Sequence, residues 1–222
     1  MKILIAGATG ATGRKIVQEV TKQKIPARGL VRDLAKVQSA QGKFPQDLEL
    51  CQGDVLNPKT LAVAIEGCDM VICATGARPS LNPTGPLLVD WIGSKNLVDA
   101  AVKAQVKQFV LVSSLCVSRF FHPLNLFFFV LAWKKKAEAY LCQSGLTYTI
   151  VRPGGLRSED TPLNPIVMEP ADRLFEGSIP RIQVAQICVA ALSQPGAQNK
   201  IVEVVTRPNA PQRDLQQLFN GL

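Results

Sequence analysis

The run Gly7-Ala8-Thr9-Gly10-Ala11-Thr12-Gly13 carries the clearest chemistry in this 222-residue chain. Its glycines are spaced G-x-x-G-x-x-G, directly after the apolar run Lys2–Ala6 and directly before an amphipathic stretch. Between a strand and a helix, such a turn is suited to a dinucleotide pyrophosphate. Gly7 admits the tight turn, Gly10 lets phosphates approach the backbone, and Gly13 lets the helix pack close to the sheet. Thr9, Ala11 and Thr12 complete the cradle, and the helix N-terminus adds unpaired N–H groups and partial positive charge.

A second group of residues would read the rest of a dinucleotide. Leu30-Val31-Arg32-Asp33 ends the next apolar run, where an acidic side chain would hold a ribose 2′-hydroxyl and a cation would pair with a 2′-phosphate. Arg32, with Lys36 and Arg14 nearby, favours the phosphate and hence NADP; Asp33 keeps the ribose alternative open. Asp54 and Val55 follow Gly53 where the adenine ring would lie. Ala74, Thr75 and Gly76 follow the run Met70–Cys73, beside the cofactor's sugars and phosphates, and Arg78 could clamp the pyrophosphate or substrate or lie on the surface.

Alternating elements must position these residues. Strands are predicted at Lys2–Ala6, Ala27–Val31, Leu48–Cys51, Met70–Ala74, Gln108–Val112, Thr147–Val151 and Ile201–Val205. Helices are predicted at Thr12–Gln23, from Pro58 to Gly67, and at Leu87–Ala104, Lys134–Gln143, Val184–Leu192 and Leu215–Phe219. Repeated β-α alternation implies an α/β, doubly wound, mainly parallel sheet with helices on both faces. The continuously apolar runs Ile3–Ile5, Met70–Cys73 and Phe109–Val112 fit strands buried on both faces. The length fits a single domain over residues 1–222, with the substrate region in loops 114–133 and 152–180.

Composition narrows the classes. With 47% hydrophobic and 19% charged residues the chain is globular, and its only histidine, His122, excludes a multi-histidine metal site. A net charge of +8 favours anionic partners, but the basic residues are dispersed apart from Lys134-Lys135-Lys136, which argues against nucleic acid. The six cysteines form no Cys-x-x-Cys pair and read as small core hydrophobes in a reducing compartment. No leader sequence is apparent, so a cytoplasmic location is expected. A monomer is also expected.

Together these stretches resemble a known family. Gly7–Gly13, Val31-Arg32-Asp33, Gly53-Asp54-Val55, Val112-Ser113-Ser114 and residues 144–154, ending in Arg152-Pro153-Gly154, look like an atypical short-chain dehydrogenase/reductase. Within that group the chain resembles NmrA-like NAD(P)-binding proteins of plastids and cyanobacteria, and is similar to the flavin reductase/biliverdin-IXβ reductase branch. The resemblance implies a Rossmann-type fold and NADPH, with Ser113, Pro153 and Gly154 beside the cofactor and Ser114 and Lys134 in catalysis. One departure stands out: ordinary members carry Tyr-x-x-x-Lys, but the position four residues before Lys134 is Val130. A phenol near a lysine is the usual proton donor for alcohol/ketone chemistry. Its absence leaves two readings. One is a reductase whose flat conjugated acceptor (flavin, linear tetrapyrrole such as biliverdin, or quinone) draws its proton from water. The other is a non-catalytic NADP(H)-binding sensor or assembly factor.

Residues 120–133 hold five of the nine phenylalanines. Three roles suit them: an apolar wall for a flat acceptor, a weak membrane-surface contact through 120–136 with the lysines against acidic head groups, or a buried core helix. His122 beside Pro123 reads as a bystander, and Arg181 as a surface residue or a reader of an acidic substrate group.

Overall fold

The computed structural model describes residues 1–38, 44–77, 82–158 and 163–222. Ten strands are described: β1 (Ile3–Ala6), β2 (Ala27–Val31), β3 (Glu49–Gln52), β4 (Met70–Cys73), β5 (Gln108–Val112), β6 (Tyr148–Pro153), β7 (Gly155–Arg157), β8 (Ile166–Pro170), β9 (Ser178–Pro180) and β10 (Lys200–Thr206). Eight form one sheet in the order β3-β2-β1-β4-β5-β6-β10-β8, and only β8 runs antiparallel to its neighbour. This is a Rossmann-like α/β fold. The helices are α1 (Ala11–Lys22), α2 (Leu34–Gln38), α3 (Pro58–Ile65), α4 (Ser94–Lys103), α5 (Val130–Gln143), α6 (Arg181–Ala191) and α7 (Leu215–Asn220).

The pleat of β1 divides the core. Ile3 and Ile5 face one layer, with Ile16, Val17 and Val20 of α1 and Val184, Ile187 and Cys188 of α6. Leu4 and Ala6 face the other, with Leu61 and Ala64 of α3, Leu97 and Ala101 of α4 and Leu141 of α5. Successive strand residues point to opposite faces, so an unbroken apolar run serves both layers. Local caps fix the helix starts. The Asn57 side chain accepts the Lys59 N–H at 3.1 Å with Pro58 at the first helical position, and Asp214 and Gln217 close a capping box on α7.

Three expectations need correction. The predicted helix from Leu87 begins as a π-helical stretch, Leu87–Gly93, before α4. The helix expected from Lys134 begins at Val130. The segment 152–180 is more regular than its Pro and Gly content suggests: β7 pairs with β9 as a two-stranded parallel ribbon, and β8 extends the main sheet. Of the cysteines, Cys68, Cys73, Cys116 and Cys188 are buried as expected, but Cys51 is half-buried and Cys142 is exposed on α5.

Candidate cofactor and active site

The glycine turn lies at the C-terminal ends of β1 and β4. Gly7 has φ +85°, and a Cβ there would meet the Ala74 carbonyl oxygen at 2.6 Å. A Cβ on Gly13 would stand 2.0 Å from the Gly7 carbonyl oxygen. The Gly10 N–H donates to that same oxygen at 2.9 Å. The glycine positions are thus the ones where the backbone packs too closely for a side chain, and Gly10 serves as the helix N-cap with no side chain of its own.

Two adjoining cavities open over this turn. The smaller, about 290 Å³, is lined by Leu30, Arg32, Gly53, Asp54, Val55 and Val89, among others. The larger, about 1120 Å³, is lined by Ser113, Ser114, Lys134, Pro153 and Gly154, together with Ala11 and Thr12. Thr9, Gly10, Ala74, Thr75 and Gly76 line both. The sequence-predicted residues therefore converge along one crevice at the strand ends, where open α/β sheets hold ligands. Arg78 falls outside the described residues.

Neighbouring side chains sharpen several assignments. Asp33 does not face the crevice: its Oδ1 accepts the Lys36 N–H at 2.9 Å and caps α2. Arg32 is exposed and lines the smaller cavity, whereas Arg14 lines the larger one. Asp54 is braced, its Oδ1 accepting the Leu56 N–H and its own N–H donating to Thr60 Oγ1. Arg181 also lines the larger cavity, where its guanidinium donates to the Leu156 carbonyl and to Ser158 Oγ.

The other end of the crevice is built around Lys134. Its Nζ lies 2.9 Å from Asp90 Oδ1, and the Asp90 side chain is 1% exposed. Asp90 Oδ2 accepts the Ala77 N–H at 3.2 Å, tying the loop after β4 to the π-helical stretch. Burial alone would lower the Lys134 pKa, but Asp90 outweighs it and raises the value, so the ammonium stays charged at neutral pH. Asp90 was missed in the sequence, although a lone acid inside Leu87-Leu88-Val89-Asp90-Trp91 is a usable signal. Ser113 Oγ is buried with no hydrogen-bond partner among the described residues, and Ser113 lines the larger cavity. A glycine-built phosphate cradle, a charged ammonium and an orphaned hydroxyl suit a bound dinucleotide.

No phenol enters this arrangement. Val130 packs with Leu115, Cys116 and Leu131. The chain's two tyrosines lie elsewhere: the Tyr140 hydroxyl donates to Asp99, and Tyr148 starts β6 at the end remote from Pro153.

A second cluster, also missed, holds the site's supports together. Arg152 on β6 is buried and makes a two-pronged pair with Glu138 of α5, at 3.0 and 2.7 Å. Its Nη1 reaches Asp172 at 3.0 Å and Glu203 of β10 at 3.2 Å. Glu203 in turn accepts the N–H groups of Arg173 and Leu174.

The pattern of NAD(P)H-binding proteins matches residues 7–195. The chain belongs to this family. It is an NmrA-like member of the atypical short-chain dehydrogenase/reductase type. It is 43% identical to an uncharacterized chloroplastic protein of Arabidopsis thaliana, over 98% of this chain and 81% of that one. Sanguinarine reductase of Eschscholzia californica is 33% identical, over 99% of this chain and 95% of the enzyme. Protein TIC 62 of Pisum sativum, a chloroplastic protein, is 36% identical over 99% of this chain, which spans 46% of its length. Among solved structures, an oxidoreductase of Lactococcus lactis superposes with a TM-score of 0.81 at 22% identity, covering 100% of this chain and 96% of that one. That likeness shows the fold. The NAD(P)H-binding family and the crevice together account for the glycine turn.

Proposed function

We propose that this family member is an NADPH-dependent reductase that acts on a flat, conjugated acceptor such as a flavin, a linear tetrapyrrole like biliverdin, or a quinone. The observation that carries this reading is the charged Lys134 in a roomy crevice that no tyrosine enters. The relationship to sanguinarine reductase supports reductase chemistry. A bound nicotinamide would supply hydride. Gly7–Gly13 and the start of α1 would hold the pyrophosphate, and Arg32 the 2′-phosphate. The Lys134 ammonium would face negative charge developing on the acceptor, with Ser114 orienting the acceptor or a water. The proton would come from solvent, which has access to the crevice.

NADPH oxidation measured against FMN, FAD, biliverdin and quinones tests the proposal. Turnover with at least one acceptor is expected. An orienting hydroxyl contributes about 0.5–1.5 kcal/mol, so Ser114→Ala should slow turnover about tenfold or less; a loss of about a thousandfold would make Ser114 a proton donor instead. The relationship to TIC 62, in which this fold is part of a longer chain, favours a second reading as a nucleotide-binding sensor or assembly factor. Tight NADPH binding without oxidation by any acceptor would select it.

The nucleotide preference has its own test. Asp33 is committed to capping α2, which leaves Arg32 as the charged side chain of this strand end facing the smaller cavity. Loss of a cation paired to a phosphate costs about 1.5–3 kcal/mol, or roughly 10- to 150-fold. Calorimetric titration of Arg32→Glu should show NADP binding at least about tenfold weaker and NAD much less affected. Equal losses would show that Arg32 does not read the 2′-phosphate.

A further inference from the structure

The segment between β5 and α5 contradicts the buried-helix expectation. Phe121 is 95% exposed, Leu126 85%, Phe127 64%, Phe120 61% and Phe129 52%. None of these five lines the larger cavity, which residues 120–129 reach only through His122 and Leu124, so the exposed aromatics are not its wall. Contiguous exposed apolar surface of this kind marks an interaction site.

The segment is built to hold these side chains outward. Buried Asn125 donates from Nδ2 to the Phe120 carbonyl at 2.8 Å, and its Oδ1 accepts the N–H groups of Leu131 and Ala132 at 3.0 and 3.3 Å. Trp133 Nε1 donates to the Phe128 carbonyl. Phe128 and Phe129 both adopt left-handed backbone, with φ of 56° and 58°. Bulky residues rarely do so, and such strain persists only where the surroundings enforce it.

Charge selects the occupant. From Val117 to Ala137 the sequence has four cations, Arg119, Lys134, Lys135 and Lys136, and no Asp or Glu. Lys134 is engaged in its ion pair with Asp90, while Arg119, Lys135 and Lys136 are exposed. Lys136 lies over the Trp91 ring and Arg119 over Phe175. Asp172, an acid near Lys135, is already paired with Arg152. Exposed aromatics beside a basic rim match the interface of an anionic bilayer, where apolar side chains enter the acyl boundary and cations meet head groups. Among the described residues no helix is long and apolar enough to cross a membrane, so contact would be interfacial.

We propose that residues 119–136 dock the protein onto an anionic lipid surface, with Phe121, Leu126 and Phe127 inserted and Arg119, Lys135 and Lys136 at the head groups. His122 and Leu124 place this surface at the mouth of the larger cavity.

Flotation of the full chain with vesicles tests this. Binding to vesicles rich in phosphatidylglycerol should exceed binding to pure phosphatidylcholine at least about tenfold and weaken with salt. Phe121→Ser/Leu126→Ser/Phe127→Ser, whose side chains are exposed, should reduce it at least about tenfold while leaving NADPH affinity unchanged. Lys135→Glu/Lys136→Glu should abolish the lipid preference. Wild-type protein that floats with neither vesicle, or a triple variant that binds like wild type, would overturn the proposal. So would a wild-type dimer that the triple variant converts to monomer, since a second copy would then cover the patch.

Discussion

Arg152→Met should destabilise the protein by about 3–5 kcal/mol, a large share of the roughly 5–15 kcal/mol that holds an ordinary domain folded. The guanidinium faces three carboxylates, and Glu138 and Glu203 are almost fully buried. Removing it strands two buried negative charges, which costs far more than the lost hydrogen bonds. Arg152→Met/Glu138→Leu/Glu203→Gln should recover most of the loss. No unpaired buried charge remains in that variant, and the introduced amide oxygen can still accept the N–H groups of Arg173 and Leu174. Urea midpoints at constant m value give both numbers. A single variant within about 1 kcal/mol of wild type would show that the cluster is dispensable. Acid should weaken the same cluster. Burial alone would raise the Asp172 pKa, but the Ser118 hydroxyl and Arg152 outweigh it and lower the value. The stability Asp172 contributes is therefore complete above the ordinary carboxylate range and is lost as pH falls through its depressed pKa.

Gly13→Ala should abolish useful nucleotide binding. The added methyl would overlap the Gly7 carbonyl oxygen at 2.0 Å, so either α1 or the turn must move. Overpacking of this kind costs about 1–3 kcal/mol of stability, and a displaced cradle should cost about 100-fold or more in NADPH affinity. Gly10→Ala is the graded comparison, since its Cβ would meet only the Gly7 oxygen, at 3.2 Å. Fluorescence titration of both variants with NADPH checks the order. Binding by Gly13→Ala within about threefold of wild type would remove the close approach of helix and turn from the account.

The parts of the fold legible in the sequence were those fixed by local pattern. The apolar runs of β1, β4 and β5 announce doubly covered strands, and the glycine spacing announces the turn after β1. β7 and β9 were missed because each has three residues and exists through pairing across more than twenty positions, assisted by Gly177 at φ +118°. The Arg152 cluster was hidden for a similar reason: Glu203 lies 51 residues away, and no local pattern joins them. The Phe-rich run carried too little periodicity to choose between buried and exposed. What decides its exposure is the Asn125 side chain and two left-handed residues, features of the folded backbone. At the site, Ser113, Ser114 and Lys134 were named through the family resemblance, whereas Asp90, the partner that keeps Lys134 charged, comes from a different element and no local pattern joins the two.

The close approach of Gly13 to Gly7 also bears on how such a chain can change over generations. Both glycines are demanded by the protein's own backbone, before any nucleotide arrives. A descendant that no longer bound a nucleotide would still inherit them. Lys134 and Asp90 would have to leave together, because either one alone would be an unpaired buried charge. On the proposed reductase reading, Ser114 at the larger cavity is where a lost activity would first be recorded.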